Sequence, residues 1–371
     1  DDGDGNIDSR YSYTDTYDQR GNQLTGISES DNDGDGTIDS RSSTTNTYDQ
    51  RGNLLTGISE GDEGVDGTID SRNSTTNTYD QSGNLLTNVR VSEPYYDRGG
   101  GFYSHYSSTN TYDQSGNLLT GVSEFDKDGD GKIDSRYSNT NTYDQSGNQL
   151  TSISEYDNDG DGNIDSRYSN TNTYDQRGNQ LTSVSESDDN ADGIIDSRYS
   201  NTTTYDQRGN QLTSISESDD NGDGNIDSRY SYTNTYDQRG NLLTNVSETD
   251  NDGDGTIDSR YSYTNTYDQS GNQLTDVSEY DDNADGTVDS RYSNTYTYDQ
   301  SGNQLTDVSE SDDNADGTID HRYSNTYTYD QMGNELTSVF ENDDNADGTI
   351  DYRSSNTNTY DQRGNLLTSI S

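Results

Sequence analysis

The residues of this sequence with chemistry to offer are aspartates at alternate positions. Asp31, Asp33, Asp35 and Asp39 surround Gly36 in the order D-x-D-x-D-G-x-x-D. That spacing aims alternate carboxylates at one centre, uses the glycine for a sharp bend and lets the carbonyl of Thr37 join them. The frame returns as Asp126, Asp128, Asp130 and Asp134, as Asp157, Asp159, Asp161 and Asp165, and as Asp250, Asp252, Asp254 and Asp258. Five segments place asparagine third, which retains an oxygen ligand: Asp188, Asn190, Asp192 and Asp196; Asp219, Asn221, Asp223 and Asp227; Asp281, Asn283, Asp285 and Asp289; Asp312, Asn314, Asp316 and Asp320; Asp343, Asn345, Asp347 and Asp351. A weakened copy keeps Asp62, Asp66 and Asp70 around Gly64. Asp2, Asp4 and Asp8 read as a loop entered part-way, and Tyr95-Tyr96-Asp97-Arg98-Gly99 as one that has lost its ligands. Plain solvated turns do not need three or four mutually repelling carboxylates in repeat after repeat. Oxygen-only ligands in this number suit a hard cation of flexible coordination, calcium in preference to magnesium, at about nine to eleven ions per chain.

These segments resemble EF-hand and dockerin-type calcium loops through the ninth position. At the twelfth an EF-hand supplies a bidentate glutamate, whereas this chain has Ser42, Asn73 or Tyr137. A candidate replacement is the glutamate two residues before the first ligand: Glu29, Glu60, Glu124, Glu155 and so on to Glu341.

The elements that must position these loops follow from a period. Tyr-Asp-Gln begins at Tyr17, Tyr48, Tyr79, Tyr112 and onward to Tyr360, 31 residues apart except for one step of 33. The chain is therefore a tandem array of about twelve units. Within a unit, Val288, Ser290, Tyr292, Asn294, Tyr296 and Tyr298 share one face of an alternating stretch, and Asp289, Arg291, Ser293, Thr295 and Thr297 the other. This is strand periodicity, with one drier side. Asp299-Gln300-Ser301-Gly302-Asn303 then has an aspartate that bonds its own turn and a glycine suited to positive φ, so the chain is expected to reverse into an antiparallel partner.

In the return strand Leu305 and Val308 are three apart, which predicts a β-bulge between them that turns both inward, or else a strand that ends early. The 33-residue step reads as two residues added to the return strand at Asn88-Val89-Arg90-Val91-Ser92, an even insertion that keeps side-chain parity. Arginine recurs two residues after the last loop ligand, at Arg10, Arg41, Arg72, Arg136 through Arg353, and fails only at His105. A cross-strand partner for the acidic column explains it better than polyanion binding does.

Tyr-Asp at the strand end, with Gly-Asn-Leu-Leu or Gly-Asn-Gln-Leu beyond the turn, resembles the YD repeats of Rhs and teneurin-type surface proteins. The resemblance implies β-hairpins in one spiral sheet of a large secreted or cell-surface protein, in bacterial surface or extracellular repeat proteins above all. The tyrosine ladder reads as packing between neighbouring hairpins rather than as a sugar platform. Thr-x-Thr, from Thr14/Thr16 and Thr45/Thr47 through Thr357/Thr359, is similar to the threonine array of β-solenoid ice-binding proteins. A hairpin would leave gaps in such a lattice unless the return strand fills them.

Composition bounds the rest. Among 371 residues, 72 acidic and 21 basic side chains give a formal charge of -51, with 22% apolar residues, no cysteine and two histidines. So little apolar surface at such a charge is the signature of a disordered chain unless something besides a core holds it. A histidine-based catalytic triad or zinc site is not expected, so the chain reads as no enzyme. Nucleic acid is excluded as a partner by charge, and no run of about 18 apolar residues suggests membrane insertion.

The reading is all-β: a tandem array of 31-residue hairpins, as an extended solenoid, spiral sheet or fibre, with calcium loops between hairpins. A calcium-rigidified rod, stalk or filament outside a cell or on its surface is the expected role. An ice-binding protein and the stalk of an adhesin are the rivals. Because the array begins inside a loop and stops at Ser371 just before the next, it is expected to sample a longer tract and to associate with itself or continue into a fibre.

Overall fold

Alternation becomes strand, and the Asp-Gln-x-Gly-Asn segment becomes the reversal. The structure, a computed structural model, describes residues 9–93 and 104–371, so the part-loop at Asp2, Asp4 and Asp8 and the degenerate one at Tyr95–Gly99 lie outside the described residues. The first hairpin is β1 (Arg10–Tyr17) and β2 (Gln23–Asp31), and the second is β3 (Ser40–Tyr48) and β4 (Leu54–Glu63). Next come β5 (Ser71–Tyr79), β6 (Leu85–Glu93) and β7 (Ser104–Tyr112), and the alternation continues to β24 (Leu366–Ile370). Among the described residues, 24 strands belong to an open antiparallel sheet that is not closed into a barrel. Among the described residues there is no helix, and so none long and apolar enough to cross a membrane. The chain divides into two compact units. One runs to Asn172 and includes Ser185–Asp196, the other holds Thr173–Val184 and Ser197–Ser371.

Within a hairpin the pairing runs from Arg10 opposite Asp31 to Tyr17 opposite Gln23, with one shift of register between Thr16 and Tyr17. Between hairpins it is shorter, from Thr25 opposite Thr45 to Ser30 opposite Ser40. Neighbouring hairpins thus lose their ladder toward the turns, where strand carbonyls would be left open. Side chains of the next hairpin take them up. Tyr48 donates its hydroxyl to the Gln23 carbonyl at 3.1 Å, and Asn46 donates Nδ2 to the same oxygen at 3.1 Å. Tyr79 and Asn77 repeat this on Leu54, and in the other unit Tyr267 and Asn265 repeat it on Leu242. The strand-end tyrosines therefore do join neighbouring hairpins.

The two faces are as the alternation predicts. Tyr292, Asn294, Tyr296 and Tyr298 oppose Ser311, Ser309, Asp307 and Gln304, while Arg291, Ser293, Thr295 and Thr297 oppose Asp312, Glu310, Val308 and Thr306. Neither face is a core, since no apolar side chain among the described residues is buried. Cohesion comes from ladder hydrogen bonds and from polar side chains paired across strands.

Two expectations are corrected. The bulge sits at the leucine itself: Tyr298 faces Gln304 and Thr297 faces Thr306, so Leu305 is the extra residue. Alternation then resumes at once. Val308 lies with Thr295 and Glu310 on the arginine face rather than turning inward beside Leu305, and the strand runs on to Asp312. The two additional residues of the 33-residue unit are also not in the return strand. Arg72 faces Glu93 with the same offset that sets Arg41 opposite Asp62, and β6 has 9 residues like its neighbours, so the insertion lies between Glu93 and Ser104, outside the described residues. Parity survives as expected, with His105 opposite Val91 where other units set arginine opposite glutamate.

Candidate metal centre

A loop starts where the return strand ends. Asp31 is the last residue of β2 and is only 1% exposed, so its carboxylate is removed from water and needs compensating partners. The backbone supplies some. Gly36 N–H donates to Asp31 Oδ2 at 3.0 Å, Asp35 N–H to Asp33 Oδ1 at 3.1 Å, Thr37 N–H to Asp35 Oδ1 at 2.7 Å, and Asn32 N–H to Asp39 Oδ2 at 2.6 Å. The loop is closed by Asp39 N–H on the Ser30 carbonyl at 2.8 Å. These bonds curl the segment so that the aspartates face inward.

Among the described residues four groups of three carboxylates could hold a metal ion, each offering oxygens within 4.8 Å of one another: Asp31, Asp33 and Asp39; Asp126, Asp128 and Asp134; Asp157, Asp159 and Asp165; Asp250, Asp252 and Asp254. The first aspartate is buried in the other loops too, at Asp62, Asp188, Asp219, Asp281, Asp312 and Asp343. Of those first aspartates, Asp31, Asp219 and Asp250 have an Oδ1 that is buried and accepts no hydrogen bond. A buried anionic oxygen without a donor is costly, and a divalent cation is the partner that the donor set around Asp31 and Asp250 fits. Asp35 and Asp254 are held below the usual carboxylate range by the backbone N–H two residues on, at Thr37 and Thr256, so they are anionic at neutral pH.

The remaining sequence candidates are placed around the same curl without forming such a group. Asn190, Asn283, Asn314 and Asn345 accept the N–H of Asp192, Asp285, Asp316 and Asp347 at 2.9 to 3.1 Å. Asp66 accepts Thr68 N–H at 2.8 Å, and Asp130 accepts Lys132 N–H at 2.8 Å and its ammonium at 2.9 Å. Asp196, Asp227, Asp289, Asp320 and Asp351 each accept the N–H of the residue after the first aspartate, at 2.7 to 2.8 Å.

Glu29 does not replace the missing twelfth ligand. It faces Arg41 across the strand pair at 3.5 Å, and Glu60, Glu124, Glu155 and Glu341 face Arg72, Arg136, Arg167 and Arg353 at 3.3 to 3.6 Å. The arginine column is thus a partner for acids on the sheet. Sequence reasoning passed over the residue between the third and fifth ligands, although its left-handed backbone differs between loops. The visible signal was the alternation there between glycine and alanine.

No family model matches this sequence, and no curated protein does. Among solved structures the chain is similar to one described as TcdB2-TccC3-Cdc42, with 14% identity over 95% of this chain and 24% of that one, at a TM-score of 0.20. It is also similar to the Tc holotoxin pore of Photorhabdus luminescens carrying a TccC3 mutation, with 14% identity over 97% and 25% at a TM-score of 0.17. A porin-like protein from Bacteroides uniformis aligns with 14% identity over 76% and 96% at a TM-score of 0.23. The chain spans about a quarter of the toxin chains it resembles. At these scores the likeness carries no conclusion about function.

Proposed function

We propose that this chain is a non-enzymatic structural element working outside a cell or on its surface, an array of hairpins made rigid by calcium and continued into further repeats or copies. One observation carries the reading. Asp31 ends a strand with a buried Oδ1 that no protein group donates to, beside Asp33 and Asp39, a set of oxygens that suits a cation. Neutralising such clusters removes repulsion from a chain of formal charge -51 and lets adjoining strands pair, so metal binding and ordering are one equilibrium. Sites of about 0.1–1 mM affinity would be filled by the calcium of extracellular fluids and empty in cytosol. Circular dichroism of the full chain with about 2 mM calcium and then with excess chelator tests this. Strand signal is expected to fall on chelation and return with calcium; a spectrum indifferent to both overturns the reading.

A second reading rests on the threonines. The return strand fills the gap that would spoil a lattice: Thr25 stands between Thr16 and Thr45, and Thr56 between Thr47 and Thr76. Thr16 and Thr25 share a hydroxyl hydrogen bond at 2.7 Å, and Thr47 and Thr56 one at 2.6 Å, so the row of hydroxyls is ordered. Such a row on a sheet with strands about 4.8 Å apart is a template for ordered water. Ice-recrystallisation inhibition by the calcium-loaded chain is the expected result of this reading, and its absence removes it.

A further inference from the structure

The ten described loops fall into two kinds by the residue in their fourth position. Five have glycine there, Gly34, Gly129, Gly160, Gly222 and Gly253, with φ between 66° and 71°. Five have a side chain, Val65, Ala191, Ala284, Ala315 and Ala346, with φ between 48° and 52°. All ten are left-handed, a conformation glycine adopts freely and valine or alanine only at a cost.

The tighter φ comes with a different hydrogen bond. In every alanine or valine loop the fifth residue turns its N–H onto Oδ1 of the buried first aspartate: Asp66 onto Asp62 at 3.2 Å, and Asp192 onto Asp188, Asp285 onto Asp281, Asp316 onto Asp312 and Asp347 onto Asp343 at 3.1 Å. With Gly N–H on Oδ2 as well, both oxygens of that carboxylate are satisfied by the loop's own backbone. The fifth N–H also reaches the third residue in the alanine loops, and in the glycine loops that is its one acceptor. Oδ1 then stays without a donor in Asp31, Asp219 and Asp250, which are at most 5% exposed. In Asp126 and Asp157 it takes the N–H of Gly129 and Gly160 instead, at 2.6 and 2.7 Å, and with Gly131 and Gly162 N–H on Oδ2 these two carboxylates are also satisfied by their own loops. The carboxylate groups tight enough to hold an ion lie, among the described residues, in glycine loops alone.

Resting on the calcium reading above, we infer that the array mixes cation-requiring loops, those at Asp31, Asp219 and Asp250 whose buried Oδ1 has no donor, with self-closed loops, the other seven described, which hold their shape without an ion. At two of the fourth positions held by glycine the preceding loop leaves room for glycine alone. A Cβ on Gly160 would stand 1.7 Å from the Ile133 carbonyl oxygen of the preceding loop, and one on Gly253 1.7 Å from that of Ile226. The last three loops, at Asp281, Asp312 and Asp343, are all self-closed, so the order of that end of the array does not depend on calcium.

Equilibrium dialysis of the metal-stripped full chain against about 1 mM calcium chloride, with bound metal counted by atomic emission, tests the division. About three ions per chain are expected from the described loops. About ten would overturn the division while leaving the calcium reading intact, and none would overturn both. Two variants make the test site-specific. Asp250→Asn is expected to lower the count by one and Asp312→Asn to leave it unchanged. Equal losses from the two would overturn the inference.

Discussion

Asp307 and Asp276 stand in a column that elsewhere holds Gly26, Asn88, Ser214 or Ser338. Asp276 is well provided for, accepting Asn294 Nδ2 at 2.8 Å and the Tyr296 hydroxyl at 3.0 Å. Asp307 has a buried Oδ1 with no donor, and burial raises its pKa, with the charge of Asp276 adding to the shift. A carboxyl whose folded pKa is raised favours the folded state below its unfolded pKa and loses that contribution as pH rises through the folded value. At neutral pH Asp307 is therefore a cost. Asp307→Ser, the residue of Ser338, is expected to raise stability by about 1 kcal/mol at pH 7 and by less at pH 4, read from thermal unfolding at the two pH values. Asp307 lies on the tyrosine face, since Tyr296 is its cross-strand partner. That one of its oxygens would find no donor was not legible, because the donors belong to neighbouring strands and their approach is set by the packing of side chains.

At the scale of the element, the five-residue turn was legible in full because everything it needs is local. Asp144 Oδ1 accepts the N–H groups of Ser146 and Asn148 at 2.8 and 2.9 Å, Oδ2 accepts Asn148 Nδ2 at 2.9 Å, and Gly147 has φ of 87°. The Asn148 amide and backbone hold the Asp144 carboxyl below the ordinary range. Here the sign is opposite: the stabilisation is present above the unfolded pKa and is lost as pH falls through the lowered folded value. Carboxyl-carbon NMR is expected to give Asp144 a midpoint below about 3.9, with the turn persisting to that pH. A midpoint at or above that value would contradict the turn bonding. The return strand was less legible. A three-residue spacing of Leu305 and Val308 fits a bulge at either end, and only the pairing with Thr297 and Tyr298 decides that Leu305 is the extra residue.

Across the whole molecule the balance is between a charge of -51 and a sheet with no buried apolar side chain among its described residues. Exposed ion pairs such as Arg229 with Glu217, 3.4 Å apart, offset little of this, since water and salt screen them. General screening and specific ion binding can be told apart. In the chelated chain about 0.5 M sodium chloride is expected to restore much less strand signal than about 2 mM calcium does; equal restoration would reduce the loops to diffuse counter-ion sites. The period, the strands, the turns and the carboxylate loops were determined by the sequence alone, because alternation, positive φ and ligand spacing are properties of a few adjacent residues. Only the tertiary structure decided that Glu29 serves Arg41 rather than a metal, and which buried aspartate oxygens keep no donor. The first depends on how one hairpin sits against the next, and the second on the curl of each loop in space, which sets the N–H groups that reach each oxygen.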